Sequence, residues 1–393
     1  MTREFTDILT FAREHRDEDP IKLLLQQQRY PDIDMGLVVQ QLEGHRQASA
    51  KWPTLGNCEG YFFPPKLNRE QSSSEATARF KAHLFDQLGR GTFADLTGGM
   101  GVDTYFISLL ASQTTYFELN PPLYSITCQN FEALGKKDIV CHNVDSIEYL
   151  RQHFEQYDTM LIDPARRDRQ GNKVAAFEDC TPNLLDNLVL LCNRCRHLIV
   201  KASPMIDLHQ AVNQLGSVAD IHIVAVNNEC KEVLFLFSDT STAEPTIYCH
   251  NLPYATSQHF TWTEEESATP LFATTVGKYL YEPNVALMKG GCYRLLSQRF
   301  GIHQLARNTH LYTTDRLIAD FPGRRFEVLQ EVPLNAKKIR SVVPNGHAHV
   351  VTRNYPISAP QLQQRLKLLE GGDLFVIAAT LCTKPAGWLC KVV

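Results

Sequence analysis

Between Gly91 and Lys201 short apolar strands alternate with helical stretches, and this alternation narrows the possible folds more than any other feature. The pattern predicts strands over Thr92–Leu96, Thr115–Glu118, Ile139–His142, Thr159–Ile162 and Leu198–Lys201. Helical stretches fill the gaps at Gly101–Ala111, Leu123–Leu134 and Leu184–Cys195. Strands that alternate with helices build βαβ units and a parallel sheet. The strands read as continuous apolar runs, as expected where helices cover both faces. Ile221–Val226 and Val233–Phe237, separated by Asn227, Asn228 and Glu229, read as an antiparallel pair that closes the sheet.

Chemistry concentrates where these strands end. The run Asp95-Leu96-Thr97-Gly98-Gly99-Met100-Gly101-Val102-Asp103 follows the first strand and opens a helix. Glycines there let backbone approach a ligand, and the acid ahead of them suits a cation better than a phosphate. A dinucleotide turn would instead read GxGxxG. Glu118 ends the second strand, where an acid can accept hydrogen bonds from ribose hydroxyls; a surface carboxylate would look the same. Asp145, in Asn143-Val144-Asp145-Ser146, can accept from an adenine amine or cap a helix. Asp163 in Asp163-Pro164-Ala165-Arg166-Arg167-Asp168 lies where a strand enters the ligand-side crevice. Arg166 and Arg167 offer planar forks suited to phosphate, or a salt-bridge network with Asp168. Lys201, at the end of the fifth strand, points to the same rim, as a phosphate contact or a solvated strand end.

The series Asp95 to Gly101, Glu118, Asp145 and Asp163-Pro164 resembles the motif order of class I S-adenosylmethionine-dependent methyltransferases. The resemblance implies a Rossmann-like, seven-stranded α/β sheet with S-adenosyl-L-methionine across the strand ends. Asp95, Thr97, Gly98, Gly99 and Gly101 would hold its methionine part, Glu118 its ribose and Asp145 its adenine. Asp163, Arg166 and Arg167 would serve the acceptor. From about residue 70 onward the chain is also similar to a bacterial group with a THUMP-like C-terminal domain. The residues that carry this are Gln71-Ser72-Ser73-Ser74-Glu75-Ala76-Thr77-Ala78, the glycine run, Asp163 to Arg167, Tyr279-Leu280-Tyr281-Glu282-Pro283-Asn284 and Arg325-Phe326-Glu327-Val328. That group implies a C-terminal α+β region, ferredoxin-like plus THUMP-like, and structured RNA as partner. The chain departs from the Asp/Asn-Pro-Pro-aromatic motif of many amino-directed enzymes: Ala165 and Arg166 replace the second proline and the aromatic. The atom methylated is therefore open. Cys180 is the nearest downstream cysteine for nucleophilic C5 chemistry, which needs addition at C6.

The expected organisation is an N-terminal helical region over 1–80, a cofactor domain over 81–240, a small ferredoxin-like or connecting segment over 241–282, and a THUMP-like domain over 283–393. Leu23, Leu24, Leu25, Met35, Leu37, Val38, Val39 and Leu42 recur at helical spacing, and Ser72-Ser73-Ser74-Glu75 reads as a capped helix start. Asn284–Phe300 and Ala359–Leu369 read as helices, and Phe326–Glu331, Ala348–Thr352 and Phe375–Leu381 as strands. The chain carries −4 overall, yet Leu271 to Val393 holds 16 Lys and Arg against 7 Asp and Glu. A basic third on an acidic body suits a polyanionic partner; Lys289, Arg294, Lys337, Lys338, Arg340 and Arg353 are the candidates, each also an ordinary surface charge. The 11 cysteines follow no framework spacing and read as reduced thiols, with Cys192 and Cys195 a turn apart on one helix. With no apolar run of about 18 residues and no signal-like start, the expectation is a cytoplasmic protein without membrane contact. Other readings are a methyltransferase of proteins or small molecules, a non-catalytic RNA-binding adaptor, or a nicotinamide oxidoreductase, the last weakened by the missing GxGxxG.

Overall fold

The structure is a computed structural model that describes residues 3–165, 177, 180–239, 244–253, 257–343 and 345–393. The chain divides into two compact units, Met1–His222 with Lys231–Pro245, and Ile223–Cys230 with Thr246–Val393.

The first unit begins with helices Arg3–Glu14, Pro20–Leu25 and Met35–Lys51, followed by Glu75–Gln87. Three of these starts have a side-chain cap: Asp19 accepts from Ile21 N–H, Asp34 from Gly36 and Leu37, and Ser74 from Thr77, while the short helices Pro53–Gly56 and Lys66–Gln71 start without one. The caps satisfy amides that a helix start otherwise leaves unpaired. Ile8, Leu9, Leu23, Met35, Val38, Leu42 and Phe62 form one apolar core among them. Of the helically spaced residues, Leu23, Met35, Val38 and Leu42 are buried, whereas Leu24 and Leu25 are exposed.

Seven strands follow: β1 (Thr92–Asp95), β2 (Gln113–Phe117), β3 (Val140–His142), β4 (Tyr157–Ile162), β5 (Cys195–Ala202), β6 (Asp220–Val226) and β7 (Glu229–Ser238). Within the first unit the order is β3-β2-β1-β4-β5-β7, all parallel except β7, which runs antiparallel to β5. Chain order reverses between β1 and β4, so the crevice beyond their carboxyl ends is where open α/β sheets bind ligands. Asp95 is in register with Tyr116 on β2 and Leu161 on β4, so the segments after all three strands meet at one edge. Asn227 and Asn228 join β6 to β7 at φ 50° and 62°, the left-handed pair that a tight two-residue connection requires.

Two helix boundaries differ from the sequence reading. Leu184–Cys192 ends at an Asn193 cap and β5 starts at Cys195, so the two cysteines straddle a helix end and a strand start. The stretch after Asn284 is two helices, Val285–Gly290 and Arg294–Phe300, because Gly291 takes φ 83° and terminates the first.

The second unit holds strands β8 (Thr246–Leu252) and β9 (Gln258–Phe260), ordered after β6, and a larger sheet. That sheet contains β10 (Leu271–Phe272), β11 (Tyr279–Pro283), β12 (His303–Gln304), β13 (Tyr312–Thr314), β14 (Gly323–Glu331), β15 (His349–Arg353), β16 (Leu374–Leu381) and β17 (Lys384–Val392). Its order is β10-β12-β13-β11-β14-β17-β16-β15. Successive residues of β16 face opposite ways: Val376 packs with Ile339, Leu362 and Leu366 of the helices Ala336–Val342 and Ala359–Leu366, and Ile377 packs with Leu280, Phe326, Val351 and Trp388. No helix among the described residues is long and apolar enough to cross a membrane.

Candidate active site

The glycine turn is pressed against β2. Gly98 N–H donates to Phe117 C=O at 2.9 Å, and a Cβ on Gly98 would lie 2.1 Å from the Tyr116 ring. The Tyr116 and Thr127 hydroxyls both donate to Gly99 C=O, at 2.7 and 3.0 Å. Gly101 takes φ 74° where the helix Val102–Ser108 starts. Asp95 lies behind this turn, 3% exposed, and accepts from Thr104 Oγ1 at 2.7 Å and from Thr97 N–H at 3.2 Å. Burial pushes its carboxyl up to about 7; the Thr104 and Thr97 hydrogen bonds oppose this, and the Asp103 and Asp163 charges add to it.

Glu118 follows β2, half-buried, and accepts from Gly99 N–H at 3.0 Å and Asn120 N–H at 2.7 Å. It thus joins the first turn to the second. Asn143 Nδ2 donates to the Glu118 carbonyl at 2.7 Å, so the segment after β3 is held to the same edge. Asp145 is exposed and caps the helix Ser146–Gln152 through Ile147 and Glu148 N–H. Asp163 N–H donates to Thr97 Oγ1 at 2.7 Å, which ties the turn after β4 to the glycine turn. Its Oδ2 accepts from Lys201 Nζ at 2.6 Å. Lys201 is therefore engaged with a carboxylate at the rim. Arg166 and Arg167 lie outside the described residues. Ala165 exchanges backbone hydrogen bonds with Thr181 at 2.8 and 3.0 Å, and Cys180 is buried.

A buried charge network beneath the site is absent from the sequence reading. Lys81, fully buried on the helix Glu75–Gln87, bonds Glu232 at 2.6 Å, contacts Asp103 at 3.2 Å and reaches Ser73 Oγ at 3.3 Å. Ser73 Oγ donates to Asp103 at 2.7 Å. Burial works against the Lys201 ammonium, but Asp163, Asp103 and Glu232 outweigh it and hold its pKa above the ordinary lysine range. Burial raises Glu232, and Lys81 and Lys201 oppose that rise. Lys51, at the end of the helix Met35–Lys51, donates to Arg69 C=O at 2.6 Å. Burial lowers its pKa to about 8, with the Lys201 and Lys231 charges adding to the shift. The only sequence signal for this network is the serine run before Glu75. Lys81 reads as an ordinary helix-surface lysine.

Asp95, Glu118 and Asp163, after or at the ends of β1, β2 and β4, are thus tied to the glycine turn, and Asp145 lies beyond β3 as the exposed cap of the next helix. A ligand for such a set must bring the donors and the positive charge. S-adenosylmethionine has an amino group, two ribose hydroxyls, an adenine amine and a sulfonium, so the residues present fit it.

Comparison with known proteins agrees. A family model described as a ferredoxin-like domain matches residues 279–322, and one described as THUMP domain-like matches 323–392. The sequence reading sets these regions at 241–282 and 283–393. A protein of Porphyromonas gingivalis, known from its crystal structure and named a "putative methyltransferase", is 30% identical. It superposes with a TM-score of 0.88 over 100% of this chain and 98% of its own. An uncharacterized S-adenosylmethionine-dependent methyltransferase of Mycobacterium tuberculosis, found in two strains, is 23% identical over 330 residues, 83% of this chain and 86% of that one. With the fold, the glycine turn and the acids at the strand ends, these likenesses show that the chain belongs to the S-adenosylmethionine-dependent methyltransferases that carry ferredoxin-like and THUMP-like C-terminal domains, and that S-adenosyl-L-methionine is its cofactor.

Proposed function

We propose that the enzyme methylates a base in structured RNA. The observation that carries this reading is the THUMP domain-like match at 323–392, in the stretch where basic residues outnumber acids. Phosphate contacts there would position an RNA without reading its sequence. In the cofactor domain, Asp95, Thr97, Gly98, Gly99 and Gly101 hold the methionine part, Glu118 the ribose hydroxyls and Asp145 the adenine amine. The bound cofactor supplies a methyl group already activated on a sulfonium. Asp163 holds the acceptor in place or takes its proton. Its hydrogen bonds to Thr97 and Lys201 support that role, because they fix its backbone and one of its oxygens. Arg166 and Arg167 hold a neighbouring phosphate, and a base within a duplex is extruded to reach the site.

A protein or small-molecule acceptor is the second reading. It is favoured by Ala165 and Arg166, which leave no aromatic after Asp163-Pro164 to stack on a base. The test is transfer of tritiated methyl from the cofactor to total RNA, total protein and a small-molecule extract of the same cells. Label in RNA that disappears after nuclease treatment upholds the RNA reading. Label confined to protein or extract overturns it.

A further inference from the structure

One charged cluster in the second unit has no part in the cofactor site. Glu282, on β11, is 5% exposed, and two arginines meet it there. Arg324 Nε donates to Oε2 at 2.6 Å and its Nη2 pairs with the same oxygen. Arg353 Nη2 pairs with Oε1. The arginines come from distant strands: Arg324 is the register partner of Glu282 on β14, and Arg353 ends β15 at the far edge of the sheet.

Their placement follows from strand alternation. Leu280, Phe326 and Val351 belong to one apolar core. Glu282, Arg324 and Arg353 lie two residues along from them on the same three strands, so each continues the core-facing side beyond the end of the core. The carboxylate stays inside, while the arginine side chains are 38% and 41% exposed. An Arg–Glu–Arg cluster contributes little stability over apolar residues of the same size. What it does supply is one net positive charge on two guanidinium groups held in fixed orientation. Arg353 Nη1 donates to the Thr352 carbonyl at 2.7 Å, whereas Arg324 Nη1 has no partner among the described residues. Donors remain for a ligand. Planar forks held in place match phosphate oxygens better than mobile lysines do.

We propose that Arg324 and Arg353, anchored by Glu282, form a clamp for a phosphodiester of the RNA. The proposal rests on the RNA reading above. The test is fluorescence anisotropy of the full chain with a labelled hairpin RNA of about 30 nucleotides over a series of potassium chloride concentrations. Two variants are compared with the wild type: Arg353→Gln, and a triple Glu282→Gln, Arg324→Gln, Arg353→Gln, which removes the buried charge together with its partners. Circular dichroism melts monitor folding. The expected result is about tenfold weaker binding for the triple variant and a log affinity–log salt slope shallower by about one to two. Arg353→Gln gives a smaller loss in the same direction and decides the matter should the triple variant not fold. Unchanged affinity and slope in a folded variant overturn the clamp and leave it a cap on the core. A wild-type chain that binds no hairpin at low salt overturns the RNA reading itself, and the clamp with it.

Discussion

Asp95 is the residue whose environment bears most directly on the role proposed for it. A carboxyl near the end of a strand, 3% exposed and pushed up to about 7 by burial, is partly protonated at neutral pH. A cationic amino group binds it best when it is ionised. Below pH 7, cofactor binding must therefore expel a proton, and above it there is none to expel. Affinity for S-adenosylhomocysteine should rise as pH goes from about 5.5 to 7, by up to about tenfold per unit, and level off above. Calorimetry in buffers of different ionisation enthalpy should record proton release on the acid side only, and Asp95→Asn should abolish both effects. An affinity flat across that range would remove Asp95 from the cofactor's contacts. The role proposed for Asp163 is a separate one. Asp163→Ala should lower methyl transfer by about 10²–10⁴-fold, the usual scale for a group that handles a proton. Its affinity for S-adenosylhomocysteine should stay within about threefold of wild type. Turnover at the wild-type rate would end its acceptor role.

The elements at the site are tied together by charges that the helix pattern conceals. Lys81 joins the helix Glu75–Gln87 to β7 through Glu232 and to the start of the next helix through Asp103. Lys81→Met leaves two carboxylates without their cation in a buried place and should cost about 3–5 kcal/mol. Adding Glu232→Gln should recover a good part of that loss, because the stranded charge goes with its partner; denaturant melts of the two variants decide it. Equal stability of single and double variants would mean that Glu232 is not the carboxylate that matters. This cluster also marks the limit of what the chain's pattern discloses. The positions of the glycine run, Glu118 and Asp163 just beyond strand ends are legible because strand ends and Gly-rich turns have local signatures. The partners Lys81 and Glu232 are 151 residues apart, and neither breaks the periodicity of its own element. Lys201 was legible as a rim residue, but its pairing with Asp163 depends on the β4–β5 register, which no local signal encodes. Asn284–Phe300 reads as one helix because apolar spacing continues through Gly291; the break comes from backbone sign, not from side-chain pattern.

At the scale of the whole chain, charge and fold divide the work. The cofactor domain presents carboxylates at its strand ends, whereas the stretch from Leu271 onward is basic. Cofactor binding and the proposed RNA binding should therefore respond to salt in opposite degree. RNA association releases counterions from the phosphates, so its affinity should fall steeply as potassium chloride rises from about 50 to 200 mM, by about tenfold for each two or so phosphates neutralised. S-adenosylhomocysteine carries no phosphate, and Asp95 and Glu118 of its proposed site are buried and half-buried, where screening is weak, so its affinity should change by less than about twofold over the same range. Anisotropy with hairpin RNA and calorimetry with S-adenosylhomocysteine on one preparation measure both. Parallel salt dependence would mean that the cofactor site, not the C-terminal region, sets the ionic response. RNA binding insensitive to salt would separate the basic third from phosphate contact and favour a protein or small-molecule acceptor.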